Sequence, residues 1–415
     1  MPSMTMNKHN YILLLLLTSS LCIYSQGGTL SSSPYSLFGL GSTNNINSGK
    51  TNALGNTGIA MSDRLMINSL NPAALSSIAK HQFIYDIGLK FQYGFLNQSN
   101  KNERRINSNF SNISLALKAT ERSAFGISIK PKTDVGYIIR GIEKPIEGSS
   151  QTFLSDIFGS GGVNNLNLTY AYSANQKLRL GISTSFLFGL INESESNFIP
   201  NSFLLIEDKN NYRGVQLNFG IQYDILKNTT FGFVANTRST LIGSRERIVS
   251  QPDVESIVTD EENIDSFDLP LEIGFGLSSL FKDRILINLD YKRSFWDATN
   301  QVDQVGEFID QNFLGLGAQY IPRKNGLKYW DRAQYRFGFN LDTGYLKVNE
   351  QTINGYQLTT GIGLPLNRNN TSLLNLSYSY QKNGLLNNGL IKETYHTLTI
   401  NLSLSNTWLK RRVID

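Results

Sequence analysis

Acid–base chemistry in this 415-residue chain would have to come from His81 and His396, the histidines left once an N-terminal export signal is removed. Neither belongs to an H-E-x-x-H pair that could hold zinc. A hydrolase would also need a serine or similar nucleophile with a base in reach, and no G-x-S-x-G elbow or Walker loop occurs. The first and last strands of a closed barrel pair, which could bring the two histidines together; two separate interfacial histidines is the plainer reading. The glycine-rich stretches GLGSTN (39–44) and GSGG (159–162) lack the strand-to-helix setting of a phosphate cradle. The acidic run Asp253, Glu255, Asp260, Glu261, Glu262, Asp265 and Asp268 offers oxygens for calcium but not the Asp/Asn/Gly spacing of a calcium loop. It reads as a solvated exterior loop. No catalytic residues, metal site or cofactor are expected, and the chain is not read as an enzyme.

Two further stretches are apolar where loops are expected. Phe153, Leu154, Ile157 and Phe158 fall at i, i+1, i+4 and i+5, one face of a short helix. In FIPNSFLLI (198–206), Phe198, Phe203, Leu204 and Leu205 carry the same character. Exposed apolar clusters mark a ligand groove, a protein contact or mutual packing over the mouth of the fold.

The elements that must position these residues are strands. Leu398, Ile400, Leu402 and Leu404 alternate with Thr397, Thr399, Asn401 and Ser403. Leu217, Phe219, Ile221 and Tyr223 alternate in the same way with Gln216, Asn218, Gly220 and Gln222. Period-two alternation gives one apolar and one polar face. Because the polar residues are Ser, Thr, Asn and Gln rather than dense charge, the apolar face points to lipid, as in a transmembrane barrel. Charged residues are 17% of the chain, against about 25% in an average soluble domain. Tyr (19) and Phe (23) far exceed Trp (3) and suit two interfacial girdles. The net charge of +5 is scattered, without the basic stripe that nucleic acid would need.

The fold class expected is all-β: an antiparallel transmembrane β-barrel of about fourteen strands with an N-terminal hatch in its lumen. Residues 1–25 read as a signal peptide: Lys8 and His9 precede a short apolar run, and Ser25 suits the position before cleavage. Residues 26–80 form the hatch, 81–405 the barrel and 406–415 a short periplasmic extension. Short turns alternate with long loops at 97–107, 141–161, 193–210, 242–267 and 298–310, the periplasm/exterior asymmetry of such barrels. Residues 322–333 are long where a short turn is expected. Gly126, Gly181 and Gly232 recur at matching heights after three short turns, where glycine marks a bend or a close contact with a neighbour's ring. Asn288, Asp290, Lys292, Arg336, Asn340 and Asp342 face inward on this register and make the lumen polar.

The stretch ALGNTGIAMSD…INSLNPAAL, with Gly55, Gly58, Ala60 and Asp63 and then Asn71, Pro72, Ala73 and Leu75, resembles the hatch of the long-chain fatty-acid transporter (FadL) family and its PorV-like relatives. LPLEIGFGLSS (269–279) and DYKRSFW (290–296) resemble that family's Pro-then-Gly strand and the Asp/aromatic strand after it. Ala74 and the run Arg64-Leu65-Met66 depart from the pattern, and the opening SPYSLFGLG resembles uncharacterised barrels of Bacteroidota. The resemblance implies a fourteen-stranded outer-membrane barrel that takes up a small hydrophobic compound passively, captured by the apolar loops and released past the hatch. The polar lumen motivates an alternative, a plugged accessory subunit of an outer-membrane machine for protein secretion or barrel insertion. The partners expected are membrane lipid, a hydrophobic small molecule, and other outer-membrane proteins or lipoproteins.

Overall fold

The computed structural model describes residues 33–407, apart from positions 99, 100, 200, 201, 253, 260, 302, 304, 305, 387 and 388. The expected signal peptide, the first hatch residues and the tail after 407 therefore lie outside the described residues. Fourteen antiparallel strands close into a barrel. They are β1 (Gln82–Gln98), β2 (Lys101–Lys118), β3 (Ser123–Pro131, resuming as Thr133–Pro145), β4 (Thr152–Ser173), β5 (Leu178–Ile199), β6 (Ser202–Leu226) and β7 (Thr229–Asn236 and Ser239–Gln251). Then follow β8 (Glu262–Leu269 and Glu272–Phe281), β9 (Ile285–Ser294), β10 (Gln311–Tyr320), β11 (Gln334–Asp342), β12 (Gly355–Pro365), β13 (Leu373–Asn383) and β14 (Lys392–Thr407). β1 pairs β14 from Gln82↔Thr407 to Asn97↔Lys392 and closes the ring.

The alternation is realised in the expected sense. Leu289 is 47% exposed and Phe219 41%, whereas Asn288 and Asp290, one position away, are 1% exposed. Tyr85, Phe125, Tyr170, Tyr223, Tyr320 and Tyr335 all lie outward near the short-turn end, where amphipathic rings sit at a bilayer interface. Phe219→Arg should therefore deplete the heat-modifiable folded barrel on gels far more than Asn218→Arg. An arginine facing lipid costs roughly 2–4 kcal/mol at mid-bilayer, while lumen changes are milder. Equal loss from both would refute the assignment of faces. A thiol placed at Ser150, beyond the long-loop end, should label on intact cells with an impermeant reagent, and one at Asn228 should not.

The exterior differs from the expectation of long loops. Phe153, Leu154, Ile157 and Phe158 lie in β4, not on a helix. Residues 193–210 belong almost wholly to β5 and β6, which run on past the membrane as a paired sheet. Each of these strands keeps its cross-strand partners all the way up, so the ladder continues where the sequence signals, tuned to lipid-facing alternation, stop.

One seam of the wall is incomplete. β2 and β3 pair only from Ile113↔Ile129 to Lys118↔Ala124. Above Pro131 the second half of β3 leaves β2 and instead takes a strand from the hatch, Ser42↔Asp134 and Thr43↔Thr133.

Candidate functional site

The hatch is held in the lumen by groups that its sequence supplies at fixed points. Asn71 is extended (φ −144°, ψ 116°), as a residue before proline must be, and Pro72 opens a 3-10 helix, Pro72–Ser77. The Asn71 Oδ1 accepts from Ala73 N (3.0 Å), capping that helix. Its amide nitrogen donates to the carbonyls of Ile59 (2.8 Å) in the hatch and Ile221 (3.1 Å) in β6. Gly58 N and Ile59 N donate to one oxygen of Asp290 in β9, at 2.6 and 2.9 Å. Asn340 in β11 donates to Gly55 O (3.0 Å), and Gly55 N donates to Thr359 Oγ1 in β12 (2.9 Å). Asp63 pairs with Lys50 inside the hatch at 2.6 Å. Burial pushes the Asp63 carboxyl up, but Lys50 and the donated Leu65 N–H outweigh it and leave the pKa below the ordinary value. A depressed pKa of this kind stabilises the pair above the usual carboxylate value of about 4, and the effect is lost as pH falls further. Gly55, Gly58, Asp63, Asn71, Pro72 and Ala73 thus fall on one continuous docked segment.

The recurring wall glycines meet this segment rather than a neighbour's ring. A Cβ at Gly181 would stand 2.3 Å from Ala73 N, one at Gly232 2.6 Å from Ile59 O, and one at Gly126 2.9 Å from the Leu75 side chain. Gly220, Gly276 and Gly338, on β6, β8 and β11, face the hatch in the same way, at 2.1 Å from Asn71 Oδ1, 2.7 Å from Ile59 Cβ and 2.0 Å from Gly55 N. At Gly181, Gly232 and Gly338 the obstacle is hatch backbone and no side chain fits, whereas at Gly126 it is a Leu75 methyl that can turn aside. The repeat in the sequence was the available signal; its meaning needed the hatch in place.

Two buried polar networks escape a reading by motif. Asp86 in β1 accepts from Asn112 of β2 (2.6 Å) and from Asn401 (2.8 Å) and Ser403 (2.5 Å) of β14, tying together the strands at the closure. Arg336, 3% exposed, donates to Gln319 (3.0 Å), Asn375 (2.7 Å) and Gln334 (2.5 Å), spanning β10 to β13. A charge held by several neutral partners satisfies the burial rule without an ion pair.

Between hatch and wall lies a cavity of about 220 Å³ with a mixed lining, in which Lys130, Lys132, Lys292 and Glu272 stand among amides and hydroxyls and beside Leu70, Leu115, Ile127, Val234 and Phe313. Lys130 donates to Asn47 of the hatch (3.2 Å), and Lys132 lies 3.7 Å from Glu272. On its outer side Trp296 stacks on Phe308 (5.3 Å between centroids) and Tyr345 (5.2 Å). Charged, amide and apolar groups share the space beneath an aromatic cap.

The eight apolar residues of the exterior divide between two faces. Leu154, Phe158, Phe198, Phe203 and Leu205 share the outward face of the sheet, with Leu154↔Phe198↔Phe203 forming one row across β4, β5 and β6. The Phe198 and Phe203 rings are 5.5 Å apart. Phe153, Ile157 and Leu204 point to the other face, and Ile157 packs on the core around Tyr137 and Leu187. On β6 the outward residues run Val215 to Ile225 through the bilayer, then Glu207, Lys209, Asn211 and Arg213, and then Leu205 and Phe203. The apolar row is therefore separated from lipid by a polar belt. β6 leaves about a dozen residues, roughly 40 Å of strand, beyond the membrane.

The histidines do not meet. His396 stands opposite Tyr93, so roughly 40 Å of strand separates it from His81. It bonds the Tyr378 hydroxyl at 2.7 Å in an outward aromatic group. Of the acidic run, Asp253 and Asp260 and the Glu255 side chain lie outside the described residues. Glu261 accepts from Ser244, and Asp268 accepts from Thr240 (2.5 Å).

A barrel with a lumenal hatch docked on wall glycines can now be compared with known proteins. The model of the BamG family matches residues 6–415. The chain belongs to the BamG family. No curated protein matches it in sequence. Among solved structures, it is similar to the CymD monoaromatic hydrocarbon channel, with a TM-score of 0.60 and 16% identity over 88% of this chain and 98% of that one. The toluene transporter TbuX of Ralstonia pickettii gives a TM-score of 0.55 at 18% identity, over 88% and 99%. A FadL homologue of Pseudomonas aeruginosa gives 0.59 at 13%, over 88% and 99%. At these identities the likeness is one of fold: the BamG chain folds as a fourteen-stranded barrel of the FadL type.

Proposed function

We propose that this protein is a plugged accessory subunit of an outer-membrane protein machine. The observation that carries the reading is the lumen filled by the hatch, with charged groups in the space that is left. Hatch backbone lies against wall backbone at several glycines, and the space that remains sets Lys130, Lys132, Lys292 and Glu272 among amides and apolar side chains. An apolar solute entering it would strip water from those charges without replacing the contacts, a cost of several kcal/mol per ion. The outward row Leu154, Phe198, Phe203 and Leu205, raised above the lipid on a rigid sheet, supports contact with a surface-exposed protein or lipoprotein, because exposed apolar patches rimmed by polar residues mark such contacts.

A second reading, passive uptake of a small hydrophobic compound, is favoured by the incomplete β2–β3 seam, which offers a sideways route into the bilayer. Affinity purification in mild detergent followed by mass spectrometry separates the two. Stoichiometric outer-membrane partners that are lost with Phe198→Ser and Phe203→Ser together support the accessory role. A lone barrel whose absence slows cellular uptake of toluene supports transport.

A further inference from the structure

The end of the barrel carrying the short turns has a uniform chemistry. Each of its six connections bears a cation: Arg122, Lys177, Lys227, Lys282, Arg323 and Arg368. Acids there are few, and Glu121 is held by Lys80 at 2.7 Å. The opposite end is acidic, with Glu261, Glu262, Asp265, Asp297, Asp303 and Asp310 in its connections and strand tops. Such a field selects the sign of whatever approaches each face.

Within this basic end, the connection from β10 to β11 is long and built rather than slack. Arg323 N donates to Asp331 O (2.8 Å), and Gly326 N donates to Arg323 O (3.0 Å). A Cβ at Gly326 would stand 2.3 Å from the Asp331 side chain, so glycine is required for the fold-back. The Arg332 guanidinium donates to the carbonyls of Asn367 and Arg368, both at 3.1 Å, and to Asn370 Oδ1 at 3.2 Å; Asn370 returns a bond to Lys324 O (2.9 Å). Two neighbouring turns are thereby locked into one platform. On it Leu327 is completely exposed, Trp330 is 60% exposed, and a short helix, Tyr329–Arg332, holds the Trp330 ring edge-on to Tyr329.

We propose that this platform docks an acidic surface of a partner protein in the periplasm, with Leu327 and Trp330 as apolar anchors and Arg323, Lys324 and Lys328 as the charged rim. Rigid aromatic anchors ringed by charge are the composition of interface hot spots, and an ordered loop loses little entropy on docking. Lipid headgroups are the competing anion. The two turns locked together by Arg332 and Asn370 hold Leu327, Trp330 and the rim cations in one fixed arrangement, which suits a shaped, acidic protein surface better than a fluid layer of headgroups. The proposal rests on the accessory-subunit reading and adds to it a second, periplasmic point of attachment.

The test is photo-crosslinking in intact envelopes from positions 327 and 198 of the full chain. From 327, a protein adduct is expected whose linked peptide is rich in Asp and Glu. It should be lost when R323E, K324E and K328E are combined in a barrel that still folds by heat modifiability, and restored when the acids of the mapped partner peptide are changed to lysine. An adduct to phospholipid, or a protein adduct indifferent to charge reversal, overturns the proposal. A protein adduct from 198 with none from 327 refutes the platform but keeps the accessory role; no protein adduct from either position refutes both.

Discussion

Deleting residues 34–70 is expected to turn a closed barrel into a pore. The strand ladders run wall to wall without the hatch, except at the upper edge of β3, where Ser42 and Thr43 supply the partner that β2 does not. The deletion therefore removes both the plug and the seal on that edge, while β1–β14 closure persists. Planar-bilayer conductance should rise from near zero to a porin-like value, and cells should become sensitive to bulky antibiotics. A truncated barrel that folds yet stays electrically silent would show that the segment does not close it.

The second large effect is expected from one methyl-bearing carbon. At Gly181 the nearest atoms to an added Cβ are Ala73 N (2.3 Å), Pro72 C (2.4 Å) and Ala73 Cα (2.7 Å), all of them hatch backbone. Neither wall nor plug has a side chain there that can rotate aside. Overpacking of a tight core costs about 1–3 kcal/mol, and each 1.4 kcal/mol is tenfold in an equilibrium. Gly181→Val should thus raise the undocked hatch population by one to two powers of ten, read as tryptic cleavage at Arg64 in a barrel that remains heat-modifiable. In a chain lacking 34–78, from which Pro72 and Ala73 are gone, the same substitution should leave the heat-modifiable barrel unchanged, because what it collides with has been removed. Equal damage in both backgrounds would mean that Gly181 serves strand geometry alone.

Much of this architecture was legible in the sequence, because a membrane writes itself onto strands with period two. The face assignment of Phe219, Leu289, Asn288 and Asp290 follows from alternation alone. The hatch was legible through its lack of period and through Asn71-Pro72-Ala73, whose turn chemistry is local. What lay beyond reach was any property set by two distant segments at once. Gly126, Gly181 and Gly232 announce a repeat, but only the docked segment explains why a side chain is forbidden at Gly181 and Gly232. The spacing of Phe153, Leu154, Ile157 and Phe158 fits a helix as well as a strand; pairing with β5 decides, and sends Leu154 and Phe158 one way, Phe153 and Ile157 the other. The Asp86 and Arg336 networks unite residues from three or more strands, which no local pattern records.

The closure between β1 and β14 sets an order of assembly. The hatch is synthesised before any strand of the wall and β14 after all the others, yet the hatch must lie inside the ring that β14 completes. Asp86, reaching Asn401 and Ser403 across that joint, belongs to a latch that shuts the ring around whatever the lumen then holds. The chain is thus a container that must be packed before it is shut. A nascent copy arriving at the membrane would have to be held open, with its first and last strands apart, for as long as residues near 50 to 75 take to find their glycines.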